Sequence, residues 1–399
     1  MHPCIERAGA RALSFIALSL ASIVPFSVLA TSCPHPAQWL QLRGDAPRAV
    51  SLQEAMAQAA KQRVVLLGES HDNPEHHRWQ LHVLAALHAQ RPDLALGLEM
   101  FPRRLQPVLD RWSIGSLTES EFLAQGEWDE VWGIDAALYM PLFHYARMHR
   151  IPMLALNVER ELVREVGSKG WESIPAERRE GVDDPAAPAD AYLGALYEAF
   201  VAHGPAGTQR AAAPTEAELR DPQFVRFVQS MQVWDRAMAL GIAEHLARGK
   251  TSMVVGIMGS GHLRDGFGVP HQLRALGVSE TVVMLPWESG DRCEPPSTGS
   301  ADYLFGVSAP PANERPRLGV MLDNGEAGVV VREVVKDSIA ERAGMKQGDV
   351  VTTVAGTPVA AMKDVVAAVQ RQAPGTWLPI SVRRGTQTLE LIARFPAKR

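Results

Sequence analysis

The sequence predicts an α/β fold, a mainly parallel sheet flanked by helices, followed by a small β-rich domain. Three observations carry that expectation. Five short runs rich in Val, Ile, Leu and Met are continuously apolar rather than alternating, the pattern of strands buried on both faces. Helical periodicity lies between them, and strand–helix alternation builds parallel sheets. A Pro/Gly/Ser-rich segment at 288–316 then separates this part from a C-terminal stretch of different, β-rich composition.

Taken in chain order, residues 1–32 read as a secretory signal. Arg7 and Arg11 precede an apolar run from Ala12 to Ala30, and small residues follow. Cleavage after Ala30 leaves Cys33 and Cys293, which could pair in an oxidising compartment. Read instead as a degenerate lipobox, "ATSC" makes Cys33 a lipidated first residue. Export is expected either way, and the lipid anchor stays open.

The five runs are "RVVLLG" (63–68), "LALGLEM" (94–100), "IPMLALN" (151–157), "SMVVGIMG" (252–259) and "ETVVMLPW" (280–287). A helix follows the first, with Trp79, Leu81, Leu84 and Leu87 at roughly helical spacing. A longer one carries a stripe of Phe224, Phe227, Val228, Met231, Trp234, Met238, Ile242 and Leu246. Asp221 is its N-cap, Pro222 its first residue and Gly249 its stop. Residues 168–218, rich in Ala, Pro, Glu and Gly, read as a surface insertion or lid with a helix near 190–203. The expected divisions are an α/β domain over 33–290, a linker over 291–316 and the small domain over 317–396. Forty basic against 45 acidic residues, a formal −5, offer no electrostatic footprint for nucleic acid.

Function is expected where polar residues close the strands, because ligands of open parallel sheets bind outside the carboxyl ends. Glu69 and His71 follow the first run, Glu99 closes the second, Asn157 the third, and "GSGH", with His262, the fourth. A buried carboxylate such as Glu99 requires a cation, a histidinium or a metal. His71, Glu99 and His262 make a two-imidazole, one-carboxylate ligand set for a divalent ion such as Mn, Co or Zn. Glu69 would act as general base or orient a ligand. "GSG" is no phosphate loop, since no Lys-Ser/Thr follows it. Asp72 and Glu75, flanking Pro74, read as capping residues, and His77 rather than His76 as facing the crevice.

Two resemblances follow from these residues. "LLGESHDNPEHHRWQ", "LGLEMFPRRLQPVLDRW", "YMPLFHYARMHRIPMLALNVER", "FVRFVQSMQVWDRAMALGIAEHL" and "GSGHLRDGFGVPHQL" together resemble the ChaN family of haem-binding uptake lipoproteins, within the wider Tiki/TraB/erythromycin-esterase superfamily. The resemblance implies an α/β fold, a location in the bacterial periplasm or outer membrane, and haem binding for iron acquisition. A haem site needs an axial ligand such as Tyr or His. Tyr139 is the tyrosine in a family-like block, read as iron ligand or as a plain core aromatic, with Tyr145 beside it and His144 and His149 on the same segment. Asn157 and His77 are read as ligand-binding from their positions at a strand end and a first helical turn. In the wider superfamily the equivalents of His71, Glu99 and His262, with Glu69 beside them, form a metal-dependent hydrolytic site. Hydrolysis, including that of peptides, is therefore the alternative function.

The C-terminal "S-x-A-x-x-A-G-M-K-x-G-D-V-V", residues 338–351, resembles the PDZ domains of exported bacterial proteases, departing from them at Ile339. Such domains add a protein C-terminus to a sheet edge and hold its carboxylate on backbone N–H groups. The resemblance places that loop at Leu318, Gly319 and Val320. Expected partners are thus haem or a small molecule and a protein C-terminal peptide, with homodimerisation open.

Overall fold

The computed structural model describes residues 33–44, 46–202, 213–289, 297–309, 316–325 and 328–397. The expected signal at 1–32 lies outside them. Cys33 is disulfide-bonded, and its partner also falls outside the described residues.

Eight described strands form the first sheet: β1 (Trp39–Gln41), β2 (Arg48–Val50), β3 (Val64–Glu69), β4 (Leu94–Pro102), β5 (Met153–Asn157), β6 (Met253–Gly259), β7 (Thr281–Ser289) and β8 (Tyr303–Ser308). Their order is β2-β1-β8-β7-β3-β6-β4-β5. Every pairing from β8 to β5 is parallel, and β1 and β2 are attached antiparallel. The five expected runs are β3 to β7. Their apolar continuity has the cause inferred for it, since β3, β4 and β6 are buried at every position.

The expected boundary at 290 is corrected by β8. It lies inside the stretch read as linker, pairs in parallel with β7 and closes against β1 from the other end of the domain. A strand whose partners are so distant in sequence leaves little local trace in a Pro/Gly/Ser-rich stretch.

Side-chain alternation divides the core in two. Val65, Leu67, Leu96, Leu98, Val255 and Ile257 pack on one face of the sheet, against the helix Pro74–His88 and the aromatic cluster of Trp112, Phe122, Tyr139 and Phe143. Val64, Leu66, Ala95, Val254 and Met258 pack on the other, against Met238, Ile242 and Leu246 of the long helix Pro222–Ala247. That helix starts as the sequence implies: the Asp221 side chain accepts from the N–H groups of Gln223 and Phe224, with Pro222 in the first turn. The shorter helix has a different cap from the one expected. Asn73, not Asp72 or Glu75, accepts from the Glu75 N–H.

The described helix of the insertion is packed down. Spanning Asp190–Ala202, it buries Tyr192, Leu196 and Tyr197 against Phe224 and Val228.

The small domain is a second, antiparallel sheet of β9 (Val320–Gly325), β10 (Gly328–Val334), β11 (Val350–Val354), β12 (Thr357–Pro358), β13 (Trp377–Arg384) and β14 (Gln387–Arg394). It has its own core, including Val329, Val331, Val351, Ile380 and Val382. β9 stands at one edge of the described sheet. Gly319, which leads into it, has φ +77°, and a Cβ there would sit 2.4 Å from Ser338 Cβ, so the loop requires glycine.

Candidate functional site

The parallel register sets the site. β6 lies between β3 and β4, with Glu69 opposite Gly259 and Leu98 opposite Ile257, so the three carboxyl ends finish at nearly one level. Glu69 continues the face that carries Val65 and Leu67, whereas Glu99 continues the face that carries Ala95. Each half of the core therefore ends in a carboxylate, and the histidines join them at the lip.

His71 Nδ1 lies 2.8 Å from Glu69 Oε1. Its ring rests over Gly259, where a Cβ would meet His71 Cε1 at 3.1 Å and Glu99 Oε2 at 3.7 Å. The glycine thus admits the imidazole next to the second carboxylate. Trp132 walls the other side, its ring centroid 4.7 Å from that of His71. With 38% of its side chain exposed, His71 is the member of the set open to the crevice. Burial disfavours its charge, but the Glu69 hydrogen bond and the negative charge of Glu99 outweigh that and raise its pKa.

Glu69 itself is buried and held by three groups. The Tyr139 hydroxyl donates to Oε1 at 2.5 Å and Gln80 Nε2 donates to Oε2 at 2.9 Å, while His77 Nδ1 approaches Oε2 to 3.4 Å.

Glu99 Oε2 accepts the Gly259 N–H at 2.6 Å. Its Oε1 has no hydrogen-bond partner and lies 3.5 Å from His262 Nε2, an ion-pair contact too long for a hydrogen bond. His262 Nδ1 is 2.6 Å from Asp235 Oδ1, and Asp235 Oδ2 accepts the Tyr192 hydroxyl at 2.9 Å. Burial works against the His262 charge, but Asp235 and Glu99 outweigh it and push the pKa up to about 10. Burial likewise opposes ionisation of Glu99, and the positive His262 overrides it, so the carboxyl titrates below its ordinary value. The cation that a buried Glu99 requires is thus a histidinium.

The structure therefore brings Glu69, His71, Glu99 and His262 together, as the strand ends implied. It assigns the remaining expected residues differently. Tyr139 is fully buried, and burial and Glu69 drive its pKa far upward, so its phenol is a donor to Glu69 and no accessible ligand. Asn157 spends its amide on backbone, donating to the Glu99 carbonyl at 2.8 Å and accepting the Val158 N–H. His77 is buried between Gln80 and the His71 carbonyl, 3.2 and 3.0 Å away. All three hold the site from behind. His76 takes the Ser70 N–H, and burial lowers its pKa to about 4.

The expected metal set of His71, Glu99 and His262 is not arranged as one. Among the described residues no group of three or more His, Cys, Asp or Glu side chains is placed to hold a metal ion. His262 faces Asp235 with Nδ1 and Glu99 with Nε2.

Three residues were not foreseen. Asp235 leaves a faint trace in the sequence, an acid one position from the apolar stripe of the long helix. Gln80 is one helical turn after His77. Tyr192 comes from the insertion and left no signal.

A family described as haem-binding uptake, Tiki superfamily, ChaN matches residues 55–273. A PDZ domain matches residues 316–393. The structure reported as cofacial heme binding to ChaN of Campylobacter jejuni is similar in fold, with a TM-score of 0.53 and 19% identity over 67% of this chain and 95% of that one. Serine protease HTRA1 of Xenopus tropicalis is 34% identical over 65 residues, 16% of this chain, and the match spans only 14% of that relative's length. The HtrA3 PDZ domain bound to a phage-derived ligand matches 20% of this chain and 82% of its own, at 25% identity and a TM-score of 0.18.

Proposed function

Since the chain belongs to the haem-binding uptake family ChaN of the Tiki superfamily and carries a PDZ domain, we propose that it binds haem in the bacterial envelope for iron acquisition and recruits a protein C-terminus. The observation that carries this reading is the family match over residues 55–273, which spans strands β3 to β6 and the strand-end crevice. Export is supported by the engaged Cys33, because disulfides persist in oxidising compartments. In the small domain, edge strand β9 and the loop of Leu318, Gly319 and Val320 would take the extended peptide and its carboxylate.

The test is an absorbance titration of the mature protein with haemin. A saturable change in the Soret band supports haem binding, and a response no larger than that of the small domain alone contradicts it.

The crevice favours a second reading, hydrolysis. His71, aligned by Glu69 and open to solvent, is built as a general base. It would take a proton from water while the His262 imidazolium, fixed by Asp235, stabilises developing negative charge. No step here is routed through a metal. Turnover of model esters or peptides that is lost in His71→Ala and unaffected by chelator would support it, and inactivity of the unmodified chain would exclude it.

A further inference from the structure

A groove of about 430 Å³ runs along β5, at the edge of the first sheet, and none of its walls is Glu69, His71, Glu99 or His262. Residues 152–156 form one side and the later turns of the long helix Pro222–Ala247 the other. The helix returns the chain to the start of β6, which is parallel to β4 and so to β5, and the two sides therefore run antiparallel. Gly241 meets Leu156, where a Cβ would lie 3.1 Å from the leucine side chain. One turn earlier, Arg103 Nη2 donates to the Ala237 carbonyl at 2.7 Å. The last turns carry His245 and Arg248, with Lys250 just beyond, toward Pro152. Arg103 thus stands at the Leu156 end and Arg248 and Lys250 at the Pro152 end. Four steps of strand separate the ends, about 13 Å.

Both ends call for an anion. Two nitrogens of Arg103 donate to the backbone carbonyls of Glu180 and Ala237, and the third, Nε, is buried without a hydrogen-bond partner. The acids around it are engaged elsewhere: Glu244 pairs with Arg248 at 3.1 Å, Glu180 accepts the Glu159 N–H at 3.1 Å, and Asp183 holds Arg236. A half-buried guanidinium with an unused N–H is costly, and burial holds its pKa below the ordinary value. At the other end Glu244 offsets Arg248 and leaves Lys250 in excess. Burial lowers the His245 pKa, and the charges of Arg248 and Lys250 lower it further, so this end is electropositive too. Asp110, also on the wall, accepts Gln106 Nε2 at 2.8 Å.

The strand edge itself is closed to a peptide. Gln106 Nε2 donates to the Met153 carbonyl at 2.7 Å and its Oε1 accepts the Ala155 N–H at 2.8 Å, the bonds an added strand would make. What fits is a slender molecule lying over the half-buried Leu154 with a negative group at each end. We propose that this groove binds an α,ω-dicarboxylate, one carboxylate on the Arg103 Nε–H, the other on Arg248 and Lys250, and the methylene chain along Leu154. The site is separate from the strand-end crevice and does not depend on what that crevice binds.

The test is calorimetry of the full chain with three probes: suberate, octanoate and succinate. Suberate should bind saturably. Octanoate, which lacks the second carboxylate, and succinate, which is too short to reach both ends, should each bind about 10- to 100-fold more weakly. Arg103→Gln should weaken suberate by a similar factor and the exposed Lys250→Gln by about fivefold. Arg104→Gln, a neighbouring cation outside the groove, should change nothing. Suberate should also raise the melting temperature of wild type and not that of Arg103→Gln, a response that a purely structural arginine would not produce. Absence of saturable suberate binding overturns the proposal, as does octanoate binding as tightly as suberate. Suberate affinity untouched in both Arg103→Gln and Lys250→Gln overturns it as well. Far-ultraviolet circular dichroism separates lost binding from lost fold, and the Lys250 variant carries the test if Arg103→Gln does not fold.

Discussion

His262 lies between Asp235 and Glu99, and removing either carboxylate leaves a buried imidazolium half compensated. Asp235→Asn is expected to cost about 3 kcal/mol, read as a lower denaturant midpoint at constant slope. The ion pair also fixes a pH dependence. The His262 pKa in the fold, about 10, exceeds the ordinary 6.5, so its protonation contributes stability in full below pH 6.5 that is lost as pH rises through 10. Wild type should therefore lose stability across that window more steeply than His262→Gln; parallel curves for the two would contradict the pair. Tyr139→Phe should cost about 1–3 kcal/mol by removing one donor from the buried Glu69. At this scale the sequence showed Glu69, His71, Glu99 and His262, because a charged residue at the end of an apolar run stands out locally. Asp235 was hidden because the long helix is buried on more than one face, so no single stripe marks which side chains turn inward. Tyr139 and Asn157 were visible as polar groups, but their hydrogen-bond partners lie on other elements and only the fold reveals that they are already committed.

The elements of the site meet through glycines at close approaches. Gly259 admits the His71 ring, and Gly268 turns the chain back after His262 with φ +57° and a would-be Cβ 2.4 Å from the His262 carbonyl oxygen. Gly268→Ala should therefore destabilise the domain by about 1–3 kcal/mol through strain and displacement, measured by thermal melting. Gly259→Ala should leave the fold nearly intact but push His71 from Glu99, which a lowered His71 pKa in a histidine NMR titration would report. Strands β3 to β7 were legible because burial on both faces writes a continuous apolar run into each. β1, β2 and β8 were not: two have only three residues, and β8 sits in a Pro/Gly/Ser-rich stretch and pairs across the whole domain. The helix of the insertion was legible within one residue, whereas its role in holding Asp235 through Tyr192 depends on tertiary packing alone.

At the scale of the whole molecule, two sheets with separate cores divide the work. The α/β domain carries the crevice, and the PDZ domain carries an open strand edge. A fragment of residues 33–309 should accordingly keep the haemin response of the full chain and lose binding to C-terminal peptides. Loss of the haemin response on removing the PDZ domain would show the division to be wrong. The central claim is that this α/β domain is a haem receptor, and isothermal calorimetry of the mature chain with haemin tests it most directly. Saturable heat near one haem per chain, reproduced by the 33–309 fragment, is the predicted result; the absence of saturable heat from either protein would contradict the account.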